Sequence, residues 1–177
     1  AWVKRKEEEV KHSAQELLGW IENQSSSSQH TLRTETKYFE GAAGVMSLYD
    51  DTWRHNKGKI IYALTDYEKA YEVMGDDFLR EDYFKQRIQH GVRVKSLLPE
   101  SPIGKKELAS AKDLLREMRF IDLFADLGIE MNIYDDKVAI VAFDAQKPSG
   151  VLIKNPLIAN AFKNVFQYLW ESVEVKK

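Results

Sequence analysis

The chain has 177 residues, 44% of them hydrophobic, and a formal net charge of −2; this length allows one domain with a full core. The near-neutral charge argues against nucleic-acid binding by these residues alone, because phosphate recognition needs a basic surface. The chain has no cysteine, which excludes disulfides and thiolate metal sites, and no apolar run of membrane-spanning length. We therefore expect a cytoplasmic protein without a membrane segment.

The first 24 residues are rich in charge and predict a helix. Its apolar residues follow a coiled-coil-like spacing and form one stripe: Val3, Val10, Ala14, Leu17 and Ile21. An isolated helix of about 20 residues is marginal in water, so the stripe predicts a buried contact. That contact is either a homodimer interface or packing against the chain's own domain. The Ser-rich tract that follows predicts a linker over residues 25–35, and we assign residues 36–177 to the globular domain.

Strands and helices alternate in the first half of this domain. Buried, apolar runs predict strands at residues 37–40, 59–64 and 92–98. Predicted helices cover residues 41–55 and 76–90, and a third has Leu108, Ala111, Leu115 and Met118 on one face. The second of these helices closes at His90-Gly91, a basic residue followed by a C-cap glycine.

The second half of the domain changes to strand-like runs joined by short turns. The runs are RFIDLF (119–124), IEMNIY (129–134), KVAIVAF (137–143) and GVLIK (150–154). Asn155 and Pro156 then predict the start of a final helix, because Asn is a good N-cap and Pro fits the first helical position. The element order predicts an α/β fold: a βαβαβα unit, a strand meander and a C-terminal helix around a mixed sheet.

Residues 128–144, GIEMNIYDDKVAIVAFD, predict a hairpin within this meander. Ile129, Met131 and Ile133 alternate with polar residues, which predicts a half-exposed strand, and the continuous apolar run after the turn predicts a buried one. Asp135 and Asp136 form the turn. This acidic turn either carries chemistry or only makes the corner.

The chain has no other strong catalytic or cofactor signal. His12, His30, His55 and His90 lie far apart without metal-ligand spacing, so we expect no metal site. Nucleotide-binding and nucleophile-elbow motifs are absent, so we expect no cofactor. The other acidic pairs, at 50–51 and 76–77, are explained by a solvated helix face and a helix start.

Four segments resemble the C-terminal domain of TrmB-type transcriptional regulators, a catalytically degenerate phospholipase D-like domain. They are YFEGAAGVMSLYDDT, LREMRFID, NIYDDKVAIVAFD and PSGVLIKNPLIANAFKNVFQYLW. The resemblance covers roughly residues 30–173, and residues 1–24 are similar to the family's connecting helix. It implies half of a phospholipase D-like sandwich and a homodimer. It also implies a sugar or other small-molecule effector, and DNA contact only through an N-terminal winged helix-turn-helix that is missing here.

The resemblance allows the acidic turn to be compared with the motif of active phospholipase D-like enzymes, H-x-K-x-x-x-x-D. In that motif the histidine is the nucleophile and the lysine neutralises charge on the phosphoryl oxygens. With Asp135 at the motif's aspartate, the histidine and lysine positions hold Gly128 and Glu130. With Asp136 there, they hold Ile129 and Met131. Neither register retains the catalytic histidine and lysine. We therefore expect the turn to have a structural role only and the protein to have no enzymatic activity.

An effector site is expected where ligands bind in open α/β sheets, beyond the carboxyl ends of parallel strands. The candidate residues near these ends are Tyr62, Thr65, Asp66, Tyr67, Arg119 and Asp122. Thr65 and Asp66 suit sugar hydroxyls, and the tyrosines suit stacking on a sugar face. The alternative is structural: Asp66 caps the helix that follows, and the aromatic residues belong to the core.

Two other functions stay open at this point. The first is a protein-interaction module without a small-molecule ligand. The second is a divergent phosphodiesterase in which His55 or His90 acts with Asp66, although His90 before Gly91 also fits a helix C-cap. Ligand-dependent thermal stability separates the first from an effector domain, and turnover of a phosphodiester tests the second.

Overall fold

The computed structural model describes residues 33–173, with the backbone alone for Phe124, and Thr34–Lys177 form one compact unit. The predicted helix at 1–24, with its stripe Val3, Val10, Ala14, Leu17 and Ile21, lies outside the described residues, as do residues 25–32 of the predicted linker. The dimer contact through that stripe therefore stays a prediction. No helix within residues 33–173 is long and apolar enough to cross a membrane.

One mixed sheet of seven strands organises the described part of the chain. The strands are β1 Glu35–Glu40, β2 Ile60–Thr65, β3 Arg93–Leu98, β4 Arg116–Phe120, β5 Ile129–Tyr134, β6 Lys137–Ala142 and β7 Ser149–Lys154. Their order across the sheet is β1-β7-β6-β5-β2-β3-β4. Strands β2, β3 and β4 run parallel, and every other neighbouring pair is antiparallel.

Helices cover both faces of this sheet. They are α1 Gly41–Arg54, α2 Tyr67–Met74, a π-helix Asp77–Phe84, α3 Lys85–Gln89, α4 Pro102–Ala109, a 3-10 turn Asp122–Phe124 and α5 Pro156–Ser172. The larger core cluster joins α1, α2 and the π-helix to one face, and a second cluster joins α5 to the other. This arrangement confirms the predicted α/β class with a mixed sheet, a meander and a C-terminal helix.

Local sequence signals fix several helix ends as predicted. The Asn155 side chain accepts hydrogen bonds from the backbone N–H of Leu157 at 2.9 Å and of Ile158 at 3.2 Å, which caps α5. Pro156 occupies the first turn, where its missing N–H has no helical partner to lose. Gly91 has a φ of +67°, the left-handed conformation that glycine adopts most easily after a helix end.

The fourth strand departs from the predicted meander. β4 pairs with β3 in parallel, with Arg116 opposite Val94, so only β5, β6 and β7 form the antiparallel meander. The predicted helical face through Leu115 and Met118 is also wrong, because α4 ends at Ala109 and Met118 lies in β4. A left-handed Leu115, with φ of +52°, turns the chain from the α4 layer into the sheet.

The predicted helix over residues 76–90 is two helical segments. The π-helix spans Asp77–Phe84, and α3 continues from Lys85 to Gln89. A separate helix, α2, precedes them and begins directly after Asp66. The buried residues of this stretch, Leu79, Tyr83, Phe84 and Arg87, recur at spacings that an α-helix also gives, so their pattern predicts helix but not the i→i+5 hydrogen bonds.

Strand β5 is buried on both faces, so the prediction of a half-exposed strand is wrong. Its polar side is the more buried one: Glu130 is 6% exposed, Asn132 3% and Tyr134 1%, whereas Ile129 at the strand end is 39% exposed. The Asn132 amide donates to the Glu130 carboxylate at 2.6 Å. Buried polar groups that bond each other are tolerated in a core, and polar spacing alone does not reveal them.

Gly150 in β7 lies directly under α1 and has little room for a side chain. A Cβ at this position would lie 2.5 Å from Leu48 Cδ2 and 3.0 Å from the Ile140 carbonyl oxygen. We expect Gly150→Ala to lower the free energy of unfolding by about 1–3 kcal/mol, the usual cost of overpacking. Urea denaturation measures this loss, with Ser149→Ala as the control on the same strand. An unchanged midpoint for Gly150→Ala would contradict the tight α1–β7 contact.

Candidate functional site

The acidic turn between β5 and β6 holds a neighbouring loop in place. Asp135 has a φ of +48°, as tight two-residue hairpin turns require. Its carboxylate accepts the backbone N–H of Lys57 at 2.7 Å and of Gly58 at 2.8 Å. The Asp136 carbonyl accepts the backbone N–H of Asn155 at 2.8 Å. The turn thus ties together the hairpin, the loop after α1 and the start of α5.

Asp51, near the end of α1, is the centre of a polar cluster beside this turn. Its Oδ2 accepts from Tyr134 Oη at 2.7 Å and from Lys137 Nζ at 2.6 Å, and its Oδ1 lies 2.8 Å from His55 Nδ1. Burial alone would raise the pKa of Asp51, but the hydrogen bonds from Lys137, Tyr134 and His55 outweigh burial and lower it. The carboxylate therefore stays ionised and holds Lys137 in a mostly buried ion pair.

A groove of about 1030 Å³ opens over this cluster. It lies at the end of the sheet where β2 begins, opposite the carboxyl ends of β2 and β3. Its basic lining residues are Lys37, Arg54, Lys57, Lys59, Lys137 and Lys154, and its acidic ones are Glu35, Asp51, Asp135 and Asp136. His55 at the rim is 66% exposed, with Nδ1 facing Asp51. The groove carries an excess of basic side chains in a chain whose net charge is −2, so its surface favours anionic or hydroxyl-rich ligands.

The hairpin also admits a third register of the phospholipase D motif, set by Lys137. This register places Asp135 at the histidine position and Ala142 at the aspartate position. A lysine is therefore present at the turn, contrary to what the two other registers suggest, but it is paired with Asp51. The position of the nucleophile holds a carboxylate that is bonded to two backbone N–H groups. The lysine directly after Asp135 and Asp136 is the sequence feature that could have revealed this register.

The six predicted effector residues do not converge on one site. Tyr62 lies on the α5 face of the sheet, with its ring centroid 5.3 Å from that of Phe166. Arg119 lies on the same face and donates to the carbonyls of Trp170 and Val173 at the end of α5. Both side chains are therefore engaged with the C-terminal helix.

The other four predicted residues lie near the carboxyl end of β2 and beyond β4. Asp66 caps α2 by accepting the backbone N–H of Lys69 at 3.2 Å, which is the structural alternative for this residue. Asp122 is exposed at the start of the 3-10 turn. Thr65 and Tyr67 face the opposite side of the sheet from Tyr62 and are the two that share a cavity.

That cavity lies between the sheet and the helices that cover it, including the π-helix, and measures about 20 Å³. This volume holds about one water molecule, so the cavity is far too small for a sugar in this conformation. Glu130 lines it, and its carboxylate accepts from the Thr65 hydroxyl and the Asn132 amide. Burial raises the pKa of Glu130, although these two hydrogen bonds partly offset the effect.

The raised pKa of Glu130 predicts a specific pH dependence of stability. The folded protein retains this proton to a higher pH than the unfolded chain, whose Glu pKa is about 4.3. The free energy of unfolding therefore falls as pH rises from the unfolded pKa through the folded one. Gln at this position does not titrate, so we expect Glu130→Gln to gain stability relative to the wild type between pH 4 and pH 8. Denaturant unfolding at several pH values measures this difference.

The control for this experiment is Glu117→Gln, because the Glu117 side chain is 62% exposed. This variant removes the same charge at an exposed position and shows whether the pH-dependent gain is specific to the buried carboxyl. A pH-independent difference for Glu130→Gln would mean that Glu130 titrates normally in the folded protein.

The histidines and acidic residues of the described chain form no metal centre. Within residues 33–173 no group of three His, Asp or Glu side chains is placed to hold a metal ion. His90 Nδ1 lies 2.7 Å from the Gln86 carbonyl oxygen at the end of α3, the contact expected of a C-cap. His55 pairs with Asp51, so neither histidine pairs with Asp66.

Comparisons with known proteins show which solved structures share this fold. No protein-family model and no curated protein sequence matches the chain. TrmBL2, an archaeal chromatin protein whose structure shows a novel mode of DNA binding, is similar over 98% of this chain, with 20% identity and a TM-score of 0.52. The chain spans 66% of the TrmBL2 chain.

Two further solved structures are similar as well. Nuc from Salmonella typhimurium, a phospholipase D family member, shares 15% identity with a TM-score of 0.59, over 82% of this chain and 99% of its own. NucT from Helicobacter pylori shares 15% identity with a TM-score of 0.58, over 80% and 98%. At these identities the likeness concerns the fold, which is TrmB-like and phospholipase D-like.

Proposed function

We propose that this chain is the regulatory domain of a TrmB-like transcriptional regulator, that it forms a homodimer and binds a small-molecule effector, and that it has no catalytic activity. The observation that carries the proposal is the state of the β5–β6 turn. The nucleophile position of the phospholipase D motif holds Asp135, whose carboxylate bonds to the Lys57 and Gly58 backbone. Lys137 is neutralised by Asp51. The residues at the motif's histidine and lysine positions, Asp135 and Lys137, thus make contacts that stabilise the fold.

DNA binding in this proposal belongs to a winged helix-turn-helix outside the 177 residues, and the similar TrmBL2 supports a DNA-linked role. The test is binding of operator DNA by a full-length version that carries a folded N-terminal head. The proposal predicts binding that changes when the effector is added. A folded full-length protein that binds no DNA from its own promoter region would reject the regulatory role.

The effector site is assigned to the groove beside the hairpin. Small-molecule pockets typically measure roughly 300–1000 Å³, and the groove reaches this size whereas the cavity at Thr65 does not. Lys57 and Lys59 are exposed at the groove, and neither forms an ion pair within the described residues. His55, with Nδ1 held by Asp51, adds a ring nitrogen at the rim. An anionic, hydroxyl-bearing metabolite such as a sugar phosphate suits this lining.

Charge reversal in the groove tests this assignment. We expect Lys57→Glu/Lys59→Glu to abolish the rise in melting temperature that a binding metabolite produces, because ligand stabilisation depends on affinity for the folded state. Lys106→Glu/Lys112→Glu changes the net charge equally at exposed positions away from the groove and should leave the rise intact. If both double variants respond to the metabolite like the wild type, the effector binds elsewhere.

A phosphodiesterase remains the second candidate, because Asp51 orients His55 at the rim of the groove as a carboxylate orients a catalytic imidazole. In the proposal this contact is an i,i+4 pair that stabilises the end of α1. Hydrolysis of a generic phosphodiester by the wild type that disappears in His55→Ala would favour the enzyme. A protein-interaction module without ligand is the third candidate, and it predicts no thermal shift with any metabolite.

A further inference from the structure

The cavity between the sheet and the helices that cover it brings several polar side chains together in a small volume. It measures about 20 Å³, and its lining includes Tyr49, Thr65 and Glu130. A cavity needs roughly 10–15 Å³ to hold a water molecule, and the water needs at least two polar partners to stay bound. This cavity meets both conditions, whereas purely apolar cavities in protein cores stay dry.

Tyr49 contributes a buried hydroxyl that lacks a partner. The residue is 2% exposed, and its Oη has no hydrogen-bond partner within residues 33–173. Its ring is held in the core by Phe78 and Tyr83, with ring centroids 5.6 Å and 4.8 Å away. The neighbouring Tyr83 hydroxyl, by contrast, lies 3.0 Å from that of Thr52. Because an unpaired buried hydroxyl is unfavourable, the Tyr49 hydroxyl requires a partner in the cavity.

Glu130 lies near Tyr49 and can accept further hydrogen bonds. Its Oε2 accepts from the Thr65 hydroxyl and its Oε1 from the Asn132 amide, whereas a carboxylate offers about four acceptor positions. The pKa of Tyr49 is raised by burial and, next in size, by the charge of Glu130, so the two groups are close. They are nevertheless not aligned for a direct hydrogen bond. A water molecule between them would pair both groups.

The charges around the cavity favour a neutral molecule over an ion. Arg87 and Arg116 line the same cavity as Glu130. An anion would be repelled by the carboxylate, and a cation by the two guanidinium groups. A water molecule both accepts and donates, so it can accept from the Tyr49 hydroxyl and donate to Glu130.

We infer that this cavity is a binding site for one water molecule, which bridges the Tyr49 hydroxyl and the Glu130 carboxylate. The bridge joins α1, which carries Tyr49, to β5, which carries Glu130. The site is separate from the groove and from the proposed regulatory role. Its test therefore needs no effector, and its failure leaves effector binding untouched.

A crystal structure of the chain, at a resolution that shows ordered water, tests the site directly. We expect one water within about 3.0 Å of both Tyr49 Oη and a Glu130 carboxylate oxygen. Crystals grown with bromide in place of chloride should show no anomalous peak in the cavity. A dry cavity, a direct hydrogen bond between Tyr49 and Glu130, or a bromide peak overturns the inference.

The sign of the stability change in Tyr49→Phe provides a second test, in solution. If a water bridges the two groups, the variant loses a hydrogen bond and the urea midpoint falls. If the hydroxyl has no partner, its removal relieves an unpaired buried group and the midpoint rises. An unchanged or raised midpoint therefore overturns the inference. Tyr38→Phe removes the same hydroxyl from a residue that is 69% exposed and should leave the midpoint nearly unchanged.

Discussion

Glu107→Ala is expected to lower the free energy of unfolding by about 3–5 kcal/mol, because it leaves a buried arginine without its anionic partner. The side chains of Glu107 and Arg116 are 0% and 1% exposed, and Arg116 Nη2 donates to Glu107 Oε2 at 2.6 Å. A loss of this size is a large fraction of the 5–15 kcal/mol that stabilises a typical domain.

Glu107 also collects contacts from elements that are distant in sequence. Its Oε1 accepts from Tyr71 Oη at 2.9 Å and from the Arg80 guanidinium. Through these bonds α4 is joined to α2, to the π-helix and to β4. Removing the carboxylate therefore leaves three donors without this acceptor, and two of them are cationic.

Denaturant unfolding of Glu107→Ala measures the loss, with Glu117→Ala as the control, since the Glu117 side chain is 62% exposed. The control should change the free energy of unfolding by less than about 0.5 kcal/mol. Equal effects for the two variants would show that the buried network contributes no more than a surface charge.

Phe166→Ala is expected to lower the free energy of unfolding by about 3–5 kcal/mol, the usual cost of truncating a buried phenylalanine. Phe166 is 1% exposed at the centre of the contact between α5 and the sheet. Its ring lies 5.3 Å from that of Tyr62 and 5.7 Å from that of Trp170. The substitution leaves a cavity that rigid strands cannot fill.

Tyr168→Ala on the same helix is the matched control, because the residue is 75% exposed. It should change the free energy of unfolding by less than about 0.5 kcal/mol. Denaturation of both variants by urea gives the comparison. A small loss for Phe166→Ala would mean that α5 contributes little to the stability of the domain.

Local signals in the sequence were sufficient for much of the fold. Asn155-Pro156 set the start of α5, and Asp135-Asp136 set the hairpin turn, because caps and tight turns depend on adjacent residues. The position of β4 beside β3, and of β1 beside β7, depends on pairing between segments far apart in the chain. The pattern within one segment and a tight turn set the register of a hairpin, but no tight turn joins these pairs.

The candidate site was less accessible from the sequence, for two physical reasons. Glu130 and Glu107 look like surface residues by type, and their burial is favourable because of partners in other elements. Thr65 lies 65 residues before Glu130, and Arg116, in β4, lies nine residues after Glu107. The groove also combines the start of β6, the end of α1 and the loop after it, which the fold alone brings together. The rule about carboxyl ends of parallel strands points to the end of the sheet opposite the groove, and the effector residues that it gave stay a prediction.

The most direct test of the central claim is thermal unfolding of the full chain with a panel of sugars, sugar phosphates, nucleotides and a phosphodiester, with each compound assayed afterwards for conversion. A regulatory domain predicts that at least one compound raises the melting temperature saturably and is recovered unchanged. A panel that produces no shift contradicts effector binding. Conversion of a compound at a rate that His55→Ala abolishes contradicts the assignment as a domain without catalytic activity.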